Sequence, residues 1–172
     1  MSIGAGGLAA TSNQWFQPVI LDYNLTATNL VLIGSFTATT AVSLTVNVAA
    51  YTVSGNSLSR ASTASAQIVG ASTATGNQYV NVSLPTWAFT AGFYVIGFAF
   101  EAMSGTISLY TPLFTNAAVN ASSTVTFPAF GVVQSALGGG GTFLASIALT
   151  NSVYNRAGTL ALQQPWFLLQ GT

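Results

Sequence analysis

The 172-residue chain carries only four charged side chains, Asp22, Arg60, Glu101 and Arg156, and it contains no Lys, His or Cys; charged residues are 2% of the total, where globular domains average about 25%. Within one chain this excludes a Ser-His-Asp triad, a Cys-His pair, a lysine nucleophile and a disulfide framework, and two arginines far apart in sequence make no phosphate-neutralising stripe for nucleic acid. With 51% hydrophobic residues and zero net charge, the chain has enough apolar material for a core and little repulsion to keep copies apart, which points to a folded domain covered by protein neighbours.

Residues 1–13 are rich in Gly, Ala and Ser and read as an N-terminal arm, flexible or ordered by a neighbour, ahead of a single β domain over residues 14–172. The first ten residues have neither the basic region nor the apolar region of a secretory leader. Residues 15–23 and 27–36 are rich in aromatic and β-branched side chains and read as strands. In Val42-Ser43-Leu44-Thr45-Val46-Asn47-Val48 apolar and polar residues alternate strictly, the period of a pleated strand, which runs on to Tyr51. Ser54-Gly55-Asn56 supplies turn residues before Leu58 resumes the pattern, so a hairpin is expected there.

Residues 59–76 are crowded with Ser, Thr and Ala, which suggests an exposed edge strand leading into a loop. Tyr79-Val80-Asn81-Val82-Ser83-Leu84 alternates again, and Pro85 is expected to end that strand by removing a backbone donor. Residues 93–100 are apolar at both alternating positions, which predicts a strand covered on one side by core and on the other by a loop or another subunit. The apolar run from 93 to 103 is about half the ~20 residues that a membrane-spanning helix needs, so no membrane is expected as a partner. Further strands are expected at 106–110, 124–133, 143–149 and 159–169, with the four-glycine run 138–141 as a mobile or tightly bent loop. Many short strands and no helical period predict an all-β, antiparallel β-sandwich of jelly-roll type.

Little chemistry is available to such a chain. Asp22 with Glu101 is the only carboxylate pair, and a glycosidase needs two carboxylates flanking a bound sugar. A better account has Glu101 paired with Arg60 or Arg156, because an unpartnered buried charge costs several kcal/mol, and has Asp22 solvated or capping a turn. No catalytic, cofactor-binding or metal-binding residue is assigned. Gly4-Ala5-Gly6-Gly7 and the run 138–141 lack the Lys-Ser/Thr ending and following helix of a phosphate loop. Asn24-Leu25-Thr26, Asn81-Val82-Ser83 and Asn120-Ala121-Ser122 match the glycosylation acceptor pattern, as chance allows in a chain so rich in Ser and Thr. Phe93, Val95, Phe98, Phe100 and Trp166 are the expected subunit interface. Trp15, Tyr79 and Trp87 are the residues that would stack on a glycan if the chain binds one.

Two runs carry a resemblance: Val46-Asn47-Val48-Ala49-Ala50-Tyr51-Thr52-Val53-Ser54-Gly55-Asn56-Ser57-Leu58-Ser59, then Trp87-Ala88-Phe89-Thr90-Ala91-Gly92-Phe93-Tyr94-Val95-Ile96. A strand ending in Tyr-Thr, a Gly-Asn hairpin, a Ser-rich return strand and a later aromatic-Ala-Gly-aromatic-Tyr strand entry resemble virion surface domains of tailed bacteriophages. These include capsid decoration (cement) proteins and tail-fibre heads. The resemblance implies a trimeric β-sandwich or jelly roll at the virion surface, bound to copies of itself and to a major capsid protein or another virion protein, without cofactor or catalytic residue. The chain has no separate attachment domain, coiled-coil heptads or shaft repeats, which favours a compact decoration protein whose trimers bridge capsid-protein junctions. On that reading the N-terminal arm and the 93–103 strand contact neighbouring copies or the shell. The alternative is a fibre or spike head that recognises a host glycan, and a third class is a cellular adhesin or carbohydrate-binding module.

Overall fold

A computed structural model describes residues 2–4, 14–37, 42–70, 76–104, 106–109, 131–133, 142–148 and 167–171. These form the strands β1 (Ser2–Gly4), β2 (Gln14–Leu21), β3 (Leu25–Thr37), β4 (Val42–Ser54), β5 (Ser57–Gly70), β6 (Gly76–Phe89), β7 (Gly92–Ser104), β8 (Thr106–Leu109), β9 (Gly131–Val133), β10 (Ser146–Ala148) and β11 (Phe167–Gly171), with no helix among the described residues.

Among the described residues all strand pairs are antiparallel and fall into two sheets. The first eight strands are ordered β1-β8-β3-β6 in one and β2-β7-β4-β5 in the other. Interleaving early with late strands, 1-8-3-6 against 2-7-4-5, is what the two Greek keys of a jelly roll produce, so the expected β-sandwich is the observed one. The remaining strands extend this frame: β9 pairs with β2, β10 with β5, and β11 lies along β3 next to β8.

Alternation along the strands builds the core. Val46, Val48 and Ala50 of β4 and Tyr94, Ile96 and Phe98 of β7 point between the sheets, against Leu30 and Leu32 of β3 and Val82, Leu84, Trp87 and Phe89 of β6. On the opposite side of β4 and β7, Ala49 and Tyr51 of β4 and Val95 and Ala99 of β7 join Phe16 and Leu58 in a second cluster closed by Phe143 and Ile147. Sheet, sheet and a crossing segment thus make three layers.

Local details correct two expectations. Pro85 does not end β6, which continues to Phe89 through a bulge: the ladder passes from Ser83↔Asn29 to Trp87↔Ala27, so residues 84–86 face Thr28 alone. Proline is tolerated where the ladder is interrupted, and Thr86 there adopts φ 43, a left-handed conformation that a β-branched residue rarely takes. The arm is not free along its whole length, since Ser2–Gly4 pairs with Thr106–Ser108. The expected hairpin is present with Gly55 at φ 56, the first position of a two-residue turn, closed by Ser54↔Ser57 pairing. Beyond the β10 pairing at Ser57–Ser59, β5 has no second strand partner among the described residues, as expected of an edge. The expected strand segments 124–130 and 159–166, the glycine run 138–141, the arm residues 5–13 and Asn120 lie outside the described residues.

Trp87 is 2% exposed and packs edge-to-face on Phe89 with ring centroids 6.0 Å apart, yet its Nε1 has no hydrogen-bond partner among the described residues. Trp87→Phe removes an unsatisfied donor together with some buried area, so it should shift stability by under ~1.5 kcal/mol, whereas Trp87→Ala should cost about 3–5 kcal/mol. Urea unfolding of both variants checks this, and equal losses would mean that the indole N–H is paired.

Candidate assembly surfaces

Residues 142–148 cross the outer face of the β2-β7-β4-β5 sheet as a strap. Gln14 Nε2 on β2 donates to the Thr142 carbonyl at 2.9 Å. Tyr51 Oη on β4 donates to the Leu144 carbonyl at 2.9 Å. Arg60 on β5 gives its guanidinium Nη1 to the Phe143 carbonyl and its backbone N–H to the Ala145 carbonyl at 2.8 Å. Four consecutive carbonyls are therefore met by donors from three strands. The path from β2 to β5 crosses three strand spacings, ~14 Å, which the four steps from residue 142 to 146 cover when extended.

Phe143 anchors the strap. Its ring lies edge-to-face with Phe16 at 6.3 Å and with Tyr51 at 6.4 Å, and those two rings are 5.7 Å apart. Beneath it is Gly97, where an added Cβ would lie 2.8 Å from Phe143 Cε1 and 3.1 Å from Phe16 Cε1, so the ring seats only because this position has no side chain. Tyr51 is completely buried, which pushes its phenol pKa well above the ordinary value; the nearby Arg60 guanidinium offsets part of that rise.

This packing corrects the expected interface. Val95 is 1% and Phe98 0% exposed inside the single chain, Val95 under the strap and Phe98 between the sheets, and Phe93 packs on the strap cluster. The second cover of β7 is a segment of its own chain. The Phe100 and Glu101 side chains, and Trp166 and Arg156 entirely, lie outside the described residues. The register places Glu101 opposite Thr45 and Arg60 opposite Tyr51, on different sides of β4 and six residues apart along it, about 20 Å. The structure brings Arg60 to the strap carbonyls instead of to Glu101. Asp22 is exposed in the β2–β3 turn, which is tied to the β6–β7 turn by the Ala91 N–H donating to Asn24 Oδ1 at 2.9 Å.

The outer face of the other sheet presents exposed side chains around the buried Val31. In register across β6, β3 and β11 lie Asn81, Val31 and Leu168 in one row and Ser83, Asn29 and Gln170 in the next, with Tyr79 on β6 one step beyond Asn81. Tyr79 is 74% and Leu168 51% exposed, and Asn81, Ser83 and Gln170 are exposed too. None of these residues is charged. Of the glycan candidates, Tyr79 is the one displayed; Trp87 is buried in the core, and the Trp15 side chain lies outside the described residues while its backbone pairs within β2.

Among the described residues there is no group of three or more His, Cys, Asp or Glu, and no helix long and apolar enough to cross a membrane. No protein-family model, curated protein or solved structure matches the chain.

Proposed function

We propose that this chain is a non-enzymatic structural virion protein, a capsid decoration or cement subunit that sits at the virion surface as a homotrimer and stabilises the shell by protein–protein contact. The uncharged outer face of β6, β3 and β11, with Tyr79, Asn81, Ser83, Leu168 and Gln170 exposed, carries this reading. Covering it with protein strands no charge away from water, so the desolvation penalty of ion burial is avoided. The four charged residues in 172 extend the same logic to the whole chain, since a surface so poor in ions is suited to permanent cover. Jelly rolls recur in viral capsids and in lectins, which is compatible with the reading and does not by itself choose it. Its partners are copies of itself and a major capsid protein or another virion protein, without nucleic acid, membrane or cofactor.

A cryo-EM map of virus particles that carry this chain tests the proposal. Density on the shell is the expected result, and absence from every particle would overturn it. Density at the tail would transfer the chain to the alternative of a fibre or spike head. Tyr79, exposed beside Asn81 and Ser83, is the observation favouring that second reading, since an aromatic ring flanked by neutral hydrogen-bonding groups suits a sugar face. On the fibre reading, Tyr79→Ala abolishes host adsorption and leaves the particle intact.

A further inference from the structure

We propose that the groove beneath residues 142–148 is a peptide-binding site, that the strap is its resident ligand, and that the same segment of a second copy binds there in exchange. Resting on the packing role proposed above, this names the site and the segment through which copies join.

The donors of the groove, on Gln14, Tyr51 and Arg60, all aim at main-chain carbonyls of residues 142 to 145, and residues 146–148 then add to the edge of β5 as an antiparallel strand. Main-chain contacts of this kind hold an extended segment, and side-chain pockets select which one. Two side chains are selected here. Phe143 and Ile147 are buried, whereas Thr142, Ala145, Ser146 and Ala148 are exposed. The hollow for Phe143 is floored by Gly97 and walled by the Phe16 and Tyr51 rings. The ligand class is therefore an extended, uncharged peptide with an aromatic residue and, four positions on, an aliphatic one. The strap of another copy meets that requirement at every position, being the same sequence, so its contacts equal those of the resident and only the tether differs. Val133 pairs with Gln14 and the Thr142 carbonyl is bonded to the Gln14 side chain, so the eight-residue connection 134–141 starts and ends beside one residue of β2. Extended, eight residues with four consecutive glycines reach up to ~28 Å, more than seating the strap on its own sheet requires. A tethered strap keeps its groove against a dilute competitor and yields part of it when copies are crowded together.

Fluorescence anisotropy of a labelled synthetic peptide of residues 142–148 tests this on the full chain. The peptide should bind Phe143→Ala protein saturably and at least tenfold more tightly than wild type, whose groove is already filled. A peptide carrying Phe143→Ala should not bind. Nor should the original peptide bind the Phe143→Ala/Gly97→Ala chain, because a Cβ at Gly97 would lie 2.8 Å from the incoming ring. A second measurement keeps the groove intact and decides the matter even where Phe143→Ala fails to fold. Ser59 and Ser146 lie directly opposite each other and the chain has no cysteine, so concentrated Ser59→Cys and Ser146→Cys chains, once mixed and oxidised, should form a disulfide joining the two variants. Ser59→Cys mixed with Ser83→Cys, exposed on the other sheet, should not. Folded Phe143→Ala protein that binds no peptide, equal binding by the Gly97→Ala double variant, or heterodisulfides no more abundant with Ser146→Cys than with Ser83→Cys would each overturn the exchange. Any of these leaves the packing role standing, which itself falls only with absence from particles.

Discussion

Phe143→Ala is expected to cost about 3–5 kcal/mol, the range for truncating a buried phenylalanine, and to release the strap from the sheet. The size follows from what the ring does. Phe143 is 3% exposed, touches Phe16 and Tyr51 edge-to-face, and fills the hollow over Gly97. Without it, Val95 and Ala99 lose their cover on one face of β7, and the carbonyl bonds from Gln14, Tyr51 and Arg60 must hold a segment that no longer has an anchor. Urea unfolding measures the cost, and amide hydrogen exchange at Leu58 and Arg60 measures the release, because those two amides face β10 and Ala145. Gly97→Ala provides the coupled control. Alone it overpacks the site and should cost about 1–3 kcal/mol, but beside Phe143→Ala the added methyl has room and the cost should largely vanish. A loss under about 1 kcal/mol for Phe143→Ala, or additive costs in the double variant, would show that the segment lies on the sheet without holding it.

The strap also marks where sequence reading stops. The double-sided apolar run at 93–100 revealed that β7 is covered on both faces, because period-two alternation is a local property. Which piece of chain supplies the second cover is a long-range fact, and the Phe143 carbonyl meets a guanidinium 83 residues earlier in sequence. Arg60 looked like a charge in need of a carboxylate, yet guanidinium donors are satisfied equally by carbonyl oxygens, and those carry no sequence signal. The missing side chain at Gly97 was the one local hint, a glycine inside a strand where another group approaches closely.

Tyr79 and Trp87 make the same point about register. Both occupy odd positions on β6 and looked equivalent as aromatic candidates. Before the bulge the even residues Val82 and Leu84 face the core, so Tyr79 points outward; after it the odd residues Trp87 and Phe89 face the core. Pro85 was read as a stop, whereas it sits within the irregularity that reverses the alternation. The uncharged outer face needed the paired register of three strands, one of them at positions 167–171, and no local pattern unites those segments.

Alkaline titration should weaken the strap with a sign set by Tyr51. An ordinary tyrosine loses its proton near pH 10, and burial in the folded chain pushes Tyr51 well above that, with Arg60 compensating only in part. Below pH 10 both folded and unfolded chains keep the phenol proton, so the contribution of Tyr51 is complete and independent of pH. Above it the unfolded chain releases the proton while the folded chain retains it, and stability falls by up to about 1.4 kcal/mol per pH unit until the folded-state phenol itself ionises. Ionisation in place also removes the hydrogen that Tyr51 donates to the Leu144 carbonyl, leaving a buried oxyanion against a carbonyl oxygen. Tyr51→Phe should therefore cost roughly 1 kcal/mol at pH 8, through the carbonyl left without its donor, and should lose stability less steeply than wild type between pH 10 and 12. Comparing urea midpoints of the two proteins across that range isolates Tyr51 from other titrating groups. Parallel curves would mean that its hydroxyl is as open to solvent in the folded chain as in the unfolded one, and that the strap does not seal the sheet.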